Sequence, residues 1–236
     1  LRQGGQWVAA FALASGEPVY GLGGKCGPLD KRGQLAHSQV VDGRGANSGA
    51  AAINVPLAWG PGTGAGAWGL FANTPGMVSH GIGHPDWSHR SYVLLVEDEA
   101  LDLFLFAADA PLGILDAWTQ LAGRPGALPD WSLGAWIGPS RFAAARDAAA
   151  AVADLRARKI PFDVLLLDGP SAWSDDTRFD FRWDGDRWPQ PRAALAAIRA
   201  DGIRVGVTES PCVSVNSPLF AELAAQGFLL TDGNGD

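Results

Sequence analysis

The sequence predicts two architectures in succession: an antiparallel β-sandwich over residues 1–126, then the first three β/α units of an incomplete (β/α)8 barrel over residues 127–236. Three observations carry the prediction. Up to about residue 125, short apolar runs recur between Gly- and Pro-rich turns, the rhythm of a sandwich. Beyond it, strand-like runs alternate with Ala-rich helical stretches, the rhythm of βαβ crossovers on a parallel sheet. The alternating part covers only about 110 residues, whereas a closed (β/α)8 barrel takes roughly 250.

The elements follow in order. Residues 7–13, 53–59, 68–72, 92–96 and 101–107 are apolar, β-rich runs separated by turn signals such as Gly16-Glu17-Pro18 and Gly60-Pro61-Gly62. In residues 111–121, Leu112, Leu115, Trp118 and Leu121 recur at helical spacing, and Gly123-Arg124-Pro125 stops that helix. Residues 131–137 read as a strand and 143–158 as an Ala-rich helix of about four turns. Val164, Leu165, Leu166 and Leu167, bounded by Asp163 and Asp168, read as a strand buried on both faces. A second helix over 192–200 closes at Asp201-Gly202, a third strand covers 203–208, and a further helix or turn begins at Phe220. An open three-stranded parallel sheet would leave bare edges. Both ends of the chain therefore read as cuts, one inside a strand and the other after Thr231.

Composition narrows the function. The net charge is −7 with 25 acidic and 18 basic side chains, which argues against a nucleic-acid binder with its basic face. No apolar run approaches the roughly 18 residues of a membrane span. Cys26 and Cys212 stand far apart and make neither a disulfide framework nor a zinc site. The compartment stays open, with the cytoplasm slightly favoured.

Several constellations invite chemistry. Asp168 ends an apolar parallel strand, where α/β folds place their functional groups. A carboxylate there accepts hydrogen bonds from ligand hydroxyls or works as an acid or base, although Asp168-Gly169-Pro170 is also plain turn chemistry. Glu209 holds the same topological position after the third strand. Gly64, Gly66 and Gly69 match a dinucleotide fingerprint, but no helix follows, so a hairpin turn is expected. Gly24-Lys25-Cys26 fails as the end of a phosphate-binding loop because Val19 and Cys26 replace the required Gly and Ser/Thr. His80, His84, His89 and Asp86 fall in a Gly-rich stretch expected to be a polar surface loop rather than a metal site. Trp173, Trp183 and Trp188 share the stretch after Asp168 with five aspartates. Aromatic rings among carboxylates suit polyhydroxylated ligands, while packing of the loop is the simpler role for any one of these tryptophans.

At this point a resemblance enters. Residues 11–33, with Tyr20-Gly21-Leu22-Gly23-Gly24 and Asp30-Lys31-Arg32-Gly33, resemble the N-terminal sandwich signature of glycoside hydrolase family 31, the α-glucosidases, α-xylosidases and relatives. The likeness continues through Trp68-Gly69-Leu70-Phe71, Leu128-Pro129-Asp130-Trp131, Ile160-Pro161-Phe162-Asp163 and Phe179-Asp180-Phe181-Arg182 in the family's order. It implies that Asp168 binds sugar hydroxyls in the −1 subsite, that Asp42 reaches the site from a sandwich loop, and that Phe142 lines the same subsite after Ser140-Arg141. It further implies a retaining α-glycosidase acting on an oligosaccharide or glycoside, with no cofactor, metal, nucleic acid or membrane partner. The nucleophile and the acid/base would come from later barrel strands, so this chain alone would be an inactive piece, completed by the rest of the same polypeptide or by a homo-oligomer. Two departures stand out: Gly169-Pro170-Ser171 replaces the family's second Asp and Tyr, and Val40-Val41 replaces a Trp-Asn pair. They keep open a non-catalytic carbohydrate-binding or scaffold protein of the same fold.

Overall fold

The computed structural model describes residues 2–41, 49, 51–62, 64, 66–138, 142, 144–167, 180–209 and 211–231. They form two compact units, Leu1–Pro125 and Gly126–Asp236.

The first unit is a sandwich of antiparallel sheets. One sheet holds β1 (Arg2–Gln3), β2 (Gln6–Ala12), β4 (Gln34–Ser38), β7 (Val78–Ile82) and β8 (Ser91–Val96) in the order β1-β2-β8-β7-β4. The other holds β3 (Tyr20–Gly21), β5 (Leu57–Gly60), β6 (Ala67–Ala72) and β9 (Leu103–Ala108) in the order β3-β5-β6-β9. In β8 the pleat sends Tyr92, Leu94 and Val96 into the core, where they meet Leu22, Leu70 and Ile82. Each such aliphatic side chain contributes about 1.5–3 kcal/mol by leaving water. The helix α1 (Pro111–Ala122) starts with Pro at its first turn and buries Ile114 over Gly69, where a Cβ would stand 2.4 Å from the Ile114 methyl.

Three expectations change here. The run from Ile53 becomes a strand only at Leu57, because Pro56 has no N–H and the carbonyls of Ile53 and Val55 are taken by Gly24 N and Leu57 N. No pattern marks β7, whose Val-Ser-His-Gly-Ile lacks alternation because all five residues are buried, with β8 and β4 on either side. His80 is therefore a core residue, and the expected surface histidine loop keeps only His84 and His89.

The second unit contains β10 (Trp136–Ile137), α2 (Ala145–Ala157), β11 (Val164–Leu167), α3 (Pro191–Ala200), β12 (Arg204–Val207) and α4 (Pro218–Ala225). The strands are parallel in the order β10-β11-β12, with Trp136 opposite Val164 and Leu167 opposite Val207. Leu165 and Leu167 pack with Val152, Phe162, Ile198 and Ile203 in the core of this unit. The strand expected over 131–137 is shortened to β10 by a 3-10 turn, Asp130–Leu133, closed by Gly134 N donating to Trp131 O. Gly134 is required there, since a Cβ would lie 1.8 Å from the Asp163 carboxylate. β5 and β6 pair antiparallel on either side of the expected Gly-rich hairpin, and no helix follows it.

His80 gives the sandwich a pH limit. Its Nε2 lies 2.9 Å from Ser38 Oγ and its Nδ1 2.6 Å from Tyr92 Oη. Burial, followed by the charges of Lys25 and His37, lowers its pKa to about 3. An unfolded histidine takes up its proton near 6.5, so the stability this neutral ring contributes is complete above that pH and is lost as the pH falls from there toward 3. Urea midpoints should decline over that window, and His80→Gln should lessen the decline even if it lowers the plateau. An equally steep decline in the variant would refute the assignment.

Candidate functional site

Parallel α/β units place chemistry at the carboxyl ends of their strands. β11 is apolar throughout: Val164, Leu165 and Leu167 are buried and Leu166 is half-buried. Leu165 and Leu167 join the core that contains α2 and α3, while Val164 lies beside Trp131 and Trp136, and Leu166 lies close to Gly206. β12 is tied to β11 beyond the paired residues by Thr208 N donating to Leu167 O at 2.9 Å. The first polar positions after these strands are Asp168 and Thr208-Glu209.

Of the three residues expected to bind sugar, Asp168 and Asp42 lie outside the described residues. Phe142 is 3% exposed and packs among Ala148, Val152, Phe162 and Trp188. Removing its ring should cost about 3–5 kcal/mol, so Phe142→Ala should show a lowered melting temperature before any effect on a ligand. A variant as stable as the parent would contradict this burial.

The stretch after β11 divides in the same manner. Trp173 lies outside the described residues, whereas Trp188 is 1% exposed and lies against Trp183 with ring centroids 5.0 Å apart and planes tilted by 50°. These two tryptophans fasten the loop to the core. Asp184 caps the same turn, its Oδ1 accepting from Asp186 N and Arg187 N at 3.0 and 2.9 Å.

Glu209 is different. Both of its carboxylate oxygens are shielded from water, and neither has a hydrogen-bond partner among the described residues. Its pKa is raised, first by burial and then by the charge of Asp180. Asp180 is itself buried, its Oδ1 accepting from Arg182 N at 3.1 Å and its Oδ2 from Ser217 Oγ, the N-cap of α4, at 3.4 Å. An uncompensated buried carboxylate is costly. Since the folded pKa lies above the unfolded one, the native state is favoured at low pH, and the advantage fades as the pH rises through the folded pKa. Glu209→Gln should therefore raise the melting temperature at pH 7–8, with the gain disappearing near pH 4. A gain independent of pH would contradict the uncompensated charge.

Lys25, rejected above as part of a phosphate-binding loop, is half-buried among neutral acceptors. Its Nζ donates to His37 O and to Asn54 Oδ1, and burial, assisted by the charge of Lys31, pushes its pKa down to about 8. Its only sequence signal is a lysine placed between the glycines of residues 23–27. Among the described residues, no three His, Cys, Asp or Glu side chains form a group that could hold a metal ion. No described helix is long and apolar enough to cross a membrane.

Residues 2–79 match the glycosyl hydrolase 31 N-terminal galactose mutarotase-like domain, and residues 125–236 match the glycosyl hydrolases family 31 TIM-barrel domain. The chain belongs to glycoside hydrolase family 31. It is 31% identical over 229 residues to an α-xylosidase of Emericella nidulans, covering 96% of this chain and 28% of that protein. It is 29% identical to an α-xylosidase of Lactiplantibacillus pentosus, with 96% and 29% covered. Its fold is that of a family 31 dextranase from Flavobacterium johnsoniae, with a TM-score of 0.86 at 22% identity over 97% of this chain and 28% of the dextranase. The cycloalternan-degrading enzyme of Trueperella pyogenes has the same fold, with a TM-score of 0.79 at 21% identity over 98% of this chain and 37% of the enzyme. The chain thus spans under a third of the length of these two curated relatives. The expected fold class, a sandwich followed by the start of a (β/α)8 barrel, is the family 31 arrangement.

Proposed function

We propose that the protein to which this chain belongs is a retaining α-glycosidase that removes terminal α-linked sugars, α-xylosides before α-glucosides. The observation that carries this reading is the likeness to two α-xylosidases over 96% of the chain. Retention takes two carboxyl groups about 5–5.5 Å apart, one attacking the anomeric carbon and the other protonating the leaving oxygen and then activating water. In this reading both come from barrel strands beyond residue 236, and the present chain supplies binding groups. Asp168, directly after the buried strand β11, accepts hydrogen bonds from sugar hydroxyls and strengthens them as the ring flattens toward the oxocarbenium-like transition state. Asp42 adds a second carboxylate from its sandwich loop, and Phe142 supports the subsite from beneath through packing. The substrate is an oligosaccharide or glycoside, and the reaction needs no cofactor.

A non-catalytic carbohydrate-binding or scaffold protein is the second reading. It is favoured by one feature, the Gly169-Pro170-Ser171 run in place of the family's Asp and Tyr. The two readings separate on the full-length protein. Release of p-nitrophenol from its α-xyloside, with the α-anomer of xylose appearing first by NMR, is the expected result. Asp168→Asn should then lower kcat/KM by at least about 100-fold without changing the circular dichroism spectrum. Sugar binding by calorimetry without turnover would favour the second reading, and full activity in Asp168→Asn would remove Asp168 from the site.

A further inference from the structure

We infer that the sandwich carries an anion-binding site in which Lys25 and Lys31 receive a phosphate, sulfate or carboxylate group, free or borne on a sugar. The two lysines line one cavity of about 660 Å³ together with Arg32. Asp30 is the one carboxylate among the described lining residues, so three cations face one anion in a chain whose net charge is −7. Asp30 is already engaged, its Oδ1 accepting from Val19 N at 3.0 Å and from Arg32 N at 2.9 Å. Among the described residues no ion pair joins it to either lysine. The Arg32 guanidinium is occupied by carbonyls, Nη1 donating to Glu17 O at 2.8 Å and Nη2 to His89 O at 3.2 Å. The two lysines thus stand together without a countercharge.

Both ammoniums are held in place, and neither is saturated. Lys31 is 4% exposed. Its N–H donates to Val19 O at 2.7 Å, its carbonyl accepts from Gln34 N at 3.1 Å, and its Nζ donates to Pro28 O at 2.6 Å. Lys25 Nζ donates to His37 O and Asn54 Oδ1. An ammonium carries three N–H donors, so three of the six have acceptors among the described residues. Gly27 at φ +93° and Gly33 at φ +80° turn the chain on either side of residues 28–32, which returns Lys31 to the cavity that Lys25 lines. The donors are side chains, since no helix N-terminus follows residues 23–33. A buried cation without a countercharge is costly. Repulsion by Lys31 adds to burial in lowering the Lys25 pKa to about 8. An anion between the lysines would supply the missing charge and take charge-assisted bonds from donors already positioned. The cavity falls within the roughly 300–1,000 Å³ of small-molecule sites, and so has room for a sugar attached to the anionic group.

The test uses the full-length protein in a Cys26→Ser background, which removes the thiol that shares the cavity. Inorganic sulfate, whose charge does not change above neutral pH, is titrated by calorimetry at fixed ionic strength. Binding at pH 7 should weaken at least about tenfold in Lys25→Met and in Lys31→Met. It should stay unchanged in Lys159→Met, which removes the same charge from an exposed position in the second unit. Affinity should also fall as the pH rises through about 8 and Lys25 loses its proton, and Lys25→Met should show no such fall. Lys31, Arg32, Asp30 and the imidazoles of His37 and His80 also face Lys25, and the two imidazoles, their pKa values lowered, are neutral over that range. Should the buried Lys31→Met not fold, Lys25→Met and the pH profile decide. Inorganic phosphate and α-D-glucose 1-phosphate separate the sources. Tighter binding of the sugar phosphate, lost in Lys25→Met, supports a sugar-borne anion, and equal affinities support a free oxyanion at the same site. Absence of saturable sulfate binding, undiminished binding in the lysine variants, or an equal loss in Lys159→Met would overturn the site.

Discussion

The constraint on which the second unit depends is the apolar run of β11, in which three of the four side chains are buried and the fourth, Leu166, is half-buried. Four consecutive apolar residues leave no polar atom along the strand except its backbone, which pairs with β10 and β12 on either side. Polar side chains are admitted only at its ends. Asp163 at the start serves structure: its N–H donates to Ala135 O, its carbonyl accepts from Arg204 N, and its carboxylate stands where Gly134 leaves room. At the other end the first polar residue in the sequence is Asp168, the carboxylate proposed above to meet the sugar. The same register sets Thr208 level with the end of β11 and carries Glu209 one residue past it, so a strand too apolar to react fixes the level at which reactive groups begin.

The sandwich deals with interior polarity in the opposite manner. His80, Ser38 and Tyr92 form a chain of neutral partners with no net charge to solvate. Burial lowers the pKa of the imidazole and raises that of the phenol, and both shifts keep the network uncharged at ordinary pH. Glu17 is also buried, and its oxygens accept from Trp68 Nε1 at 2.6 Å and Ala14 N at 2.8 Å. These four side chains are thereby satisfied by donors and acceptors of their own unit, whereas Trp118 Nε1 in α1 is buried without a partner among the described residues. Glu209 is the exception among these carboxylates, and it stands at a strand end, where unsatisfied groups are expected.

The legible parts of the sequence were those with a strong period or a strong stop. α1 was set by helical spacing ending at Gly123, β11 by four aliphatic residues between aspartates, and α3 by Asp201-Gly202. β7 was hidden because a strand buried on both faces need not alternate, and Ser79, His80 and Gly81 resemble a loop until their neighbours are known. Gly81 is there because Trp87 lies over it, with a Cβ falling 2.2 Å from the ring, a long-range requirement that no local pattern records. The end of β11, after which Asp168 follows in the sequence, was readable from the strand alone, and the burial of Phe142 was not. Phe142 follows Ser140-Arg141 in a stretch without periodicity, and its partners Phe162, Trp188 and Ile198 come from later segments. The clamp that Lys25 makes between His37 and Asn54 was invisible for a related reason, because both acceptors lie more than ten residues away in sequence.

The chemistry of that clamp also follows from its surroundings. Among the described residues Lys25 has no carboxylate within ion-pair distance, and its acceptors are neutral. The charged groups that face it are cationic or become so: Lys31, and the imidazoles of His37 and His80 when protonated. Among the described residues no carboxylate holds the proton on, and half-burial, followed by the charge of Lys31, outweighs the two hydrogen bonds and lowers the pKa to about 8. Losing the proton does not open the clamp, since a neutral amine retains two N–H groups for two acceptors. It exchanges charge-assisted bonds for ordinary ones of roughly half the strength. A carboxylate partner would have fixed the charge, but it would also have drawn the ammonium away from these two acceptors. Neutral acceptors on both sides leave both donor bonds directed at His37 and Asn54.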